Sequence, residues 1–245
     1  MAGGAALMGT DIHVIVERRT SPEAPWQRVP HREQYYRQGR FGFHVRPRAV
    51  GEVDAPAALR NRDYDVFALL ADVRNGVGFA GIEMSKGWTP LAEPRGLPTD
   101  TTYSDKYDDA SLSDDERDAL PWLGDHSFSH ATLAELETFF AQPQSSLHYG
   151  VLSLEEYKAW KWRNDPIEKR RAPDGYCGGV SGLGLKTVQE AQHVPGDGAT
   201  HIRVSWQETI YDSAHAWIDS VLPWLTALAI DCGPENVRLV FGFDS

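Results

Sequence analysis

Cysteine is nearly missing from this 245-residue chain: Cys177 and Cys232 are the only two, far apart and without neighbours at zinc-ligand spacing. That argues against a disulfide framework or a structural zinc knot and fits a reducing compartment, so a cytoplasmic location is expected. No stretch approaches the roughly 18 consecutive apolar residues of a membrane span. The first eight residues are small and apolar but carry no basic n-region and are too short for a signal-peptide core, so a soluble, unexported protein is expected. Positive charge is scarce as well, with 24 Lys and Arg against 35 Asp and Glu and a net charge of −11. Duplex nucleic acid and anionic membranes, which both demand a basic surface, are therefore not expected partners. A complete catalytic signature and an internal repeat are also lacking.

What is present is enough for a full core: 41% of the residues are hydrophobic and 11% aromatic. The expected architecture is one α+β domain over residues 1–245, with a mixed central sheet, several helices and irregular excursions at about 30–60, 76–125 and 165–200. Charge is unevenly spread. Eight arginines fall between Arg28 and Arg62, whereas Asp100 to Asp125 is strongly acidic. The first region suits an anionic ligand and the second a solvated excursion.

The chain's organising stretch is Gly9-Thr10-Asp11-Ile12-His13-Val14-Ile15-Val16-Glu17, a β-branched run that reads as a strand over 10–18. On a strand, residues i and i+2 face the same side, so Asp11 and His13 project together. Such a pair is either satisfied by backbone or arginine neighbours or belongs to a metal or catalytic site. A turn over Thr20–Pro25 and a returning arm at Trp26–Val29 complete a hairpin. From Tyr35 to Arg46, aromatics, arginines and glycines interleave, the chemistry that stacks on planar rings and clamps phosphates, and equally that of a solvated loop.

Val66, Phe67, Leu69, Leu70 and Val73 recur at helical spacing, with Arg62 and Tyr64 at the helix entrance and Arg74 at its exit. Thr132 and Glu135 fit a capping box for a second helix, whose entrance would carry His126 and His130. Ser153 and Glu156 give a similar signal for a third. The glycines of 175–184, followed by Lys186-Thr187, miss the spacing of a phosphate loop. Toward the C-terminus, 201–210 reads as a strand, 213–230 as a helix kinked or broken at Pro223, and 237–243 as the last strand. This β-α-β pattern places 10–18, 201–210 and 237–243 in one sheet.

Gly-x-Asp-Ile-His, Tyr64–Ala71 with Val73-Arg74-Asn75, Pro94–Pro98, Thr132–Leu136 and the terminal Phe241-Gly242-Phe243-Asp244 appear together in this chain. As a set they resemble a family of uncharacterised bacteriophage and bacterial proteins that start near a G-[CT]-D-I-H strand and end near a W-F-D-type strand. The resemblance implies a phage or bacterial context and no assigned activity. The D-x-H start is also similar to the first-strand motif of metallophosphoesterases, whose downstream signatures this chain lacks.

Two readings of function follow. In the first, the protein is a metal-dependent hydrolase of a phosphorylated or nucleotide-like molecule. Asp11, His13 and His126 act catalytically, and Asp11, His13, His126, His130 and Asp244 hold a divalent cation. That site requires the last strand to lie antiparallel beside the first, which brings Asp244 to Asp11 and His13. In the second, Arg37, Arg40, Arg62, Tyr64, Arg74 and Arg95 bind an anionic, nucleotide-like ligand without turnover, or the protein has an interaction role.

Overall fold

The computed structural model describes residues 9–33, 51–78, 83–103, 122–153, 155 and 201–244. Arg37 and Arg40, most of the acidic run, the third helix and the glycine-rich loop lie outside them. The chain is α+β and divides into two compact units that interleave along the sequence.

One unit comprises Thr10–Asp63, Leu91–Gln142 and His215–Ser245. Its four-stranded sheet has the order β2 (Gln27–Arg28), β1 (Asp11–Arg18), β8 (Val237–Asp244), β5 (His126–Thr132). The first and last strands are thus neighbours, as expected. Every pairing is antiparallel, where a mixed sheet was expected. Parallel pairing occurs instead in a separate two-stranded sheet of β3 (His31–Glu33) and β4 (Val53–Ala55).

Alternation explains the sheet. Across β1 and β8 one face carries the pairs Ile12/Phe243, Val14/Phe241 and Val16/Leu239; the other carries Asp11/Asp244, His13/Gly242, Ile15/Val240 and Glu17/Arg238. The second face is covered too: Ile15 and Val240 pack with Leu123, Leu97, Tyr103 and Phe128. The covering chain comes so close at Gly242 that a Cβ there would collide with the Leu123 carbonyl and the Phe128 ring, so only glycine fits.

Glu17 and Arg238 make this burial possible. Glu17 is fully buried and Arg238 nearly so. The Arg238 Nε–H donates to Glu17 Oε2 at 2.7 Å. Glu17 Oε1 accepts from the Thr101 hydroxyl at 2.9 Å and from the Thr102 backbone and hydroxyl at 2.5 and 2.6 Å. Arg238 also donates to Asp100 Oδ1 at 2.8 Å and lies over the Trp26 ring.

The strand β5 is a correction, because its residues were read as a helix entrance. His126-Ser127-Phe128-Ser129-His130 has few apolar residues, and the strand is bulged between His126 and Ser129 with Ser127 at φ 52°, features of a sheet edge. The helix α2 (Leu133–Phe140) follows at once, capped by the expected box: Thr132 Oγ1 accepts from the Glu135 amide, and Glu135 Oε2 from the Thr132 amide. Its Phe140 packs on Trp217 of α3 (Ile210–Ala229). α3 runs through Pro223 rather than breaking there, with the proline on the exposed face, where a lost backbone hydrogen bond costs least.

The other unit comprises Met1–Gly9, Tyr64–Pro90 and Pro143–Ala214. It holds the buried helix α1 (Tyr64–Ala71) and an antiparallel pair, β6 (Ser145–Ser153) with β7 (His201–Thr209). β7 therefore does not join β1 and β8 in one sheet, and β7-α3-β8 is not a β-α-β unit. The physical reason is β6, whose alternating Leu147, Tyr149 and Val151 form a strand that pairs with β7 along its whole length. No helix among the described residues is long and apolar enough to cross a membrane.

Replacing Glu17 by Gln leaves the Arg238 guanidinium buried without its main counter-charge. With the exposed Asp100 retained, the expected loss is about 3 kcal/mol, the lower end of the cost of breaking a buried pair. Urea unfolding at pH 7 measures it, with the m-value expected to stay unchanged.

Candidate metal centre

The end of the β1–β8 pair brings three of the expected residues together. Asp11 stands directly opposite Asp244. Asp244 Oδ1 accepts from the Asp11 amide at 3.0 Å, and its Oδ2 lies 3.2 Å from His13 Nε2, outside hydrogen-bonding geometry. Trp122 covers the imidazole, ring centroids 4.5 Å apart. Asp11, however, is engaged by the expected ligand-binding residue Arg62, whose Nε and Nη2 donate to Oδ1 and Oδ2 at 2.8 and 2.6 Å. A guanidinium thus takes both oxygens that a cation would need. These bonds hold the Asp11 carboxyl below the ordinary carboxylate range, partial burial opposing them.

His126 and His130 come from β5, on the opposite side of β8 from His13. The His126 ring stacks on Phe243, with Nδ1 3.0 Å from the Ser127 hydroxyl. His130 pairs with Val240, four residues and about 13 Å of strand from Asp244, and its Nδ1 lies 3.2 Å from the Gly96 carbonyl. Arg95 donates to Glu135 at 2.8 Å and to the His130 carbonyl at 3.2 Å. Arg74 bonds the Gly78 carbonyl at 3.3 Å and lies over the ring of Tyr64. The described arginines thus go to separate partners.

The unit built on α1, β6 and β7 holds a group that sequence reasoning missed: Asp65, His148 and Glu208. Asp65 lies in the first turn of α1, a position where an acidic residue needs no function beyond favouring the helix N-terminus. Register explains the rest: His148 pairs with Trp206 and Ser146 with Glu208, so His148 and Glu208 are diagonal neighbours on one face of the strand pair. One ligand atom from each of Asp65, His148 and Glu208 lies within 4.8 Å of the others. The His148 side chain is 5% exposed and that of Glu208 14%.

Both carboxylates are anchored. The Trp88 indole N–H donates to Asp65 Oδ1 at 2.8 Å and the Trp206 indole N–H to Glu208 Oε1 at 2.6 Å; the Ser213 hydroxyl donates to Glu208 Oε2 at 2.5 Å. His148 lies between the two indoles, 5.7 and 6.0 Å from their ring centroids. Its Nε2 is buried, has no hydrogen-bond partner among the described residues, and sits 3.9 Å from Glu208 Oε2. Burial raises the Asp65 carboxyl, with His148 and the Trp88 bond opposing and Glu208 adding to the rise.

A buried imidazole nitrogen beside two carboxylates matches, in its neutral tautomer with Nε2 unprotonated, the donor set of a borderline divalent cation. No local spacing signals it, because the ligands come from three elements far apart in sequence. Compared with family models, curated proteins and solved structures, the chain matches none.

The Asp11–Arg62 pair has a pH signature. A carboxyl lowered in the folded state stabilises fully above the ordinary carboxylate range, and that contribution disappears as pH falls through the folded value. Both side chains are nearly half exposed, 45% and 49%, so the effect on stability is under about 1 kcal/mol. In Arg62→Ala the Asp11 carboxyl is expected to titrate higher, measured by carboxyl carbon NMR between pH 2 and 6.

Proposed function

We propose that this protein is a metal-dependent hydrolase holding one divalent cation among Asp65, His148 and Glu208. The observation that carries the reading is His148 Nε2, a buried ring nitrogen with no hydrogen-bond partner among the described residues, beside two anchored carboxylates. Two negative charges balance a divalent ion, and a neutral imidazole adds a ligand without adding charge. Three protein ligands would leave a position on the ion for water, and a cation such as zinc held there would lower the pKa of that water toward neutrality for attack on a phosphoryl phosphorus or a carbonyl carbon.

The cation is thereby assigned to residues other than Asp11, His13, His126, His130 and Asp244, since Arg62 already neutralises Asp11. The substrate class, a phosphorylated or nucleotide-like molecule, rests on the arginine-aromatic stretch from Tyr35 to Arg46. A cytoplasmic location in a phage-infected or bacterial cell belongs to the same proposal, supported by the cysteine content and the sequence resemblance.

Calorimetric titration of metal-stripped protein with zinc and with manganese is expected to show one site per chain. His148→Ala should abolish it while leaving the circular dichroism unchanged. The loaded protein should hydrolyse at least one member of a panel of phosphomonoesters, nucleotides and carboxylic esters. Absence of binding, or equal binding by His148→Ala, overturns the cation site; binding without turnover across the panel overturns the hydrolase and leaves a ligand-sequestering protein.

A further inference from the structure

We propose that the Ser146 hydroxyl holds the water on the cation, as a further polar group of the site formed by Asp65, His148 and Glu208. The inference rests on the cation reading above. Ser146 is 3% exposed, and its Oγ is buried with no hydrogen-bond partner among the described residues. His148 Nε2 is in the same condition two residues along β6.

Strand geometry gathers these groups on one face. Residues i and i+2 of a strand share a side, so Ser146 and His148 project from β6 together. Ser146 stands directly opposite Glu208 and His148 directly opposite Trp206, which carries that face across to β7. The neighbouring hydroxyls are engaged. Ser85, bridged to His148 on the other side of β6, accepts from the Gly87 amide at 3.1 Å, and Ser213 donates to Glu208 Oε2.

Ser146 is not needed to orient Glu208, because the Trp206 indole and the Ser213 hydroxyl already donate to its two oxygens. Packing does not call for it either: a buried hydroxyl without a partner costs stability, and alanine would fill the place without that cost. A hydrated cation answers both orphaned atoms at once. The ion takes the imidazole nitrogen, and the water on it, made a stronger donor by the ion, donates to Ser146 Oγ, which offers two lone pairs. A water held by both the ion and a hydroxyl is fixed in orientation, as attack on a phosphoryl or carbonyl centre requires.

Ser146→Ala removes the hydroxyl and little else. In the full chain, the metal-free variant is expected to melt at or above the temperature of the metal-free parent, because a buried hydroxyl without a partner is gone. Calorimetric titration should show zinc still taking one site per chain but binding about 10- to 100-fold more weakly, so that the rise in melting temperature produced by zinc is smaller than in the parent. A purely structural role cannot give that combination. An unchanged zinc affinity overturns the inference. A metal-free variant that melts below its parent overturns it as well, since the hydroxyl then supports the strand pair and the weaker binding follows from its disturbance. If the parent chain takes no zinc at all, the cation site itself fails and this inference with it, a result distinct from a zinc-binding parent whose affinity Ser146→Ala leaves alone.

Discussion

Burying the Glu17 carboxylate inside a sheet costs several kcal/mol unless a cation and donors answer it, and that requirement fixes how β1 and β8 pair. Arg238 stands directly opposite Glu17, and Thr101 and Thr102 supply the remaining donors. A slip of one residue would turn Arg238 to the apolar face and leave the carboxylate unanswered. The same register puts Asp244 beside Asp11 and within 3.2 Å of His13, and places Gly242 where the chain at Leu123 passes over the sheet. Two of the polar residues along β1 are thus explained by pairing, Glu17 by Arg238 and Asp11 by Arg62, while His13 lies 3.2 Å from Asp244 under Trp122 with no hydrogen bond among the described residues.

His148 shares with His13 a buried Nε2 that has no hydrogen-bond partner among the described residues, and differs in lying beside two anchored carboxylates. It is as buried as the core around it, yet its Nε2 meets no hydrogen-bond partner among the described residues, while Asp65 and Glu208 beside it are each held by an indole. Where the terminal-strand unit answers a buried charge with an opposite charge, this unit gathers two carboxylates and an imidazole, each carboxylate held by an indole N–H. The proposed divalent cation would balance the two carboxylates and be coordinated by the imidazole.

Elements with strong periodicity were legible in the sequence. β1 and β8 show period 2, the apolar positions Ala214, Trp217, Val221 and Leu225 mark α3, and Thr132 with Glu135 announces α2. β5 was not, because His126–Thr132 mixes serine and histidine with few apolar residues; β6 was not read, although Leu147, Tyr149 and Val151 alternate, because the run is short and interrupted by His148 and Gly150. That failure concealed the site as well. The ligands His148 and Glu208 meet only through the register of β6 on β7, and Asp65 arrives from a helix where its position resembles an ordinary cap. The residues that looked functional, Asp11 and His13, stood out because they are polar in an apolar strand; Arg62 takes both oxygens of Asp11, and Asp244 comes within 3.2 Å of His13 without a hydrogen bond among the described residues.

The central claim is most directly tested by anomalous diffraction at the zinc edge from crystals of the zinc-loaded full chain. The account predicts one peak per chain bounded by Asp65, His148 Nε2 and Glu208, at about 2.0–2.2 Å from each ligand atom. A peak at Asp11, His13 and Asp244 instead, or no peak with His148 Nε2 hydrogen-bonded to an ordered water, would contradict it.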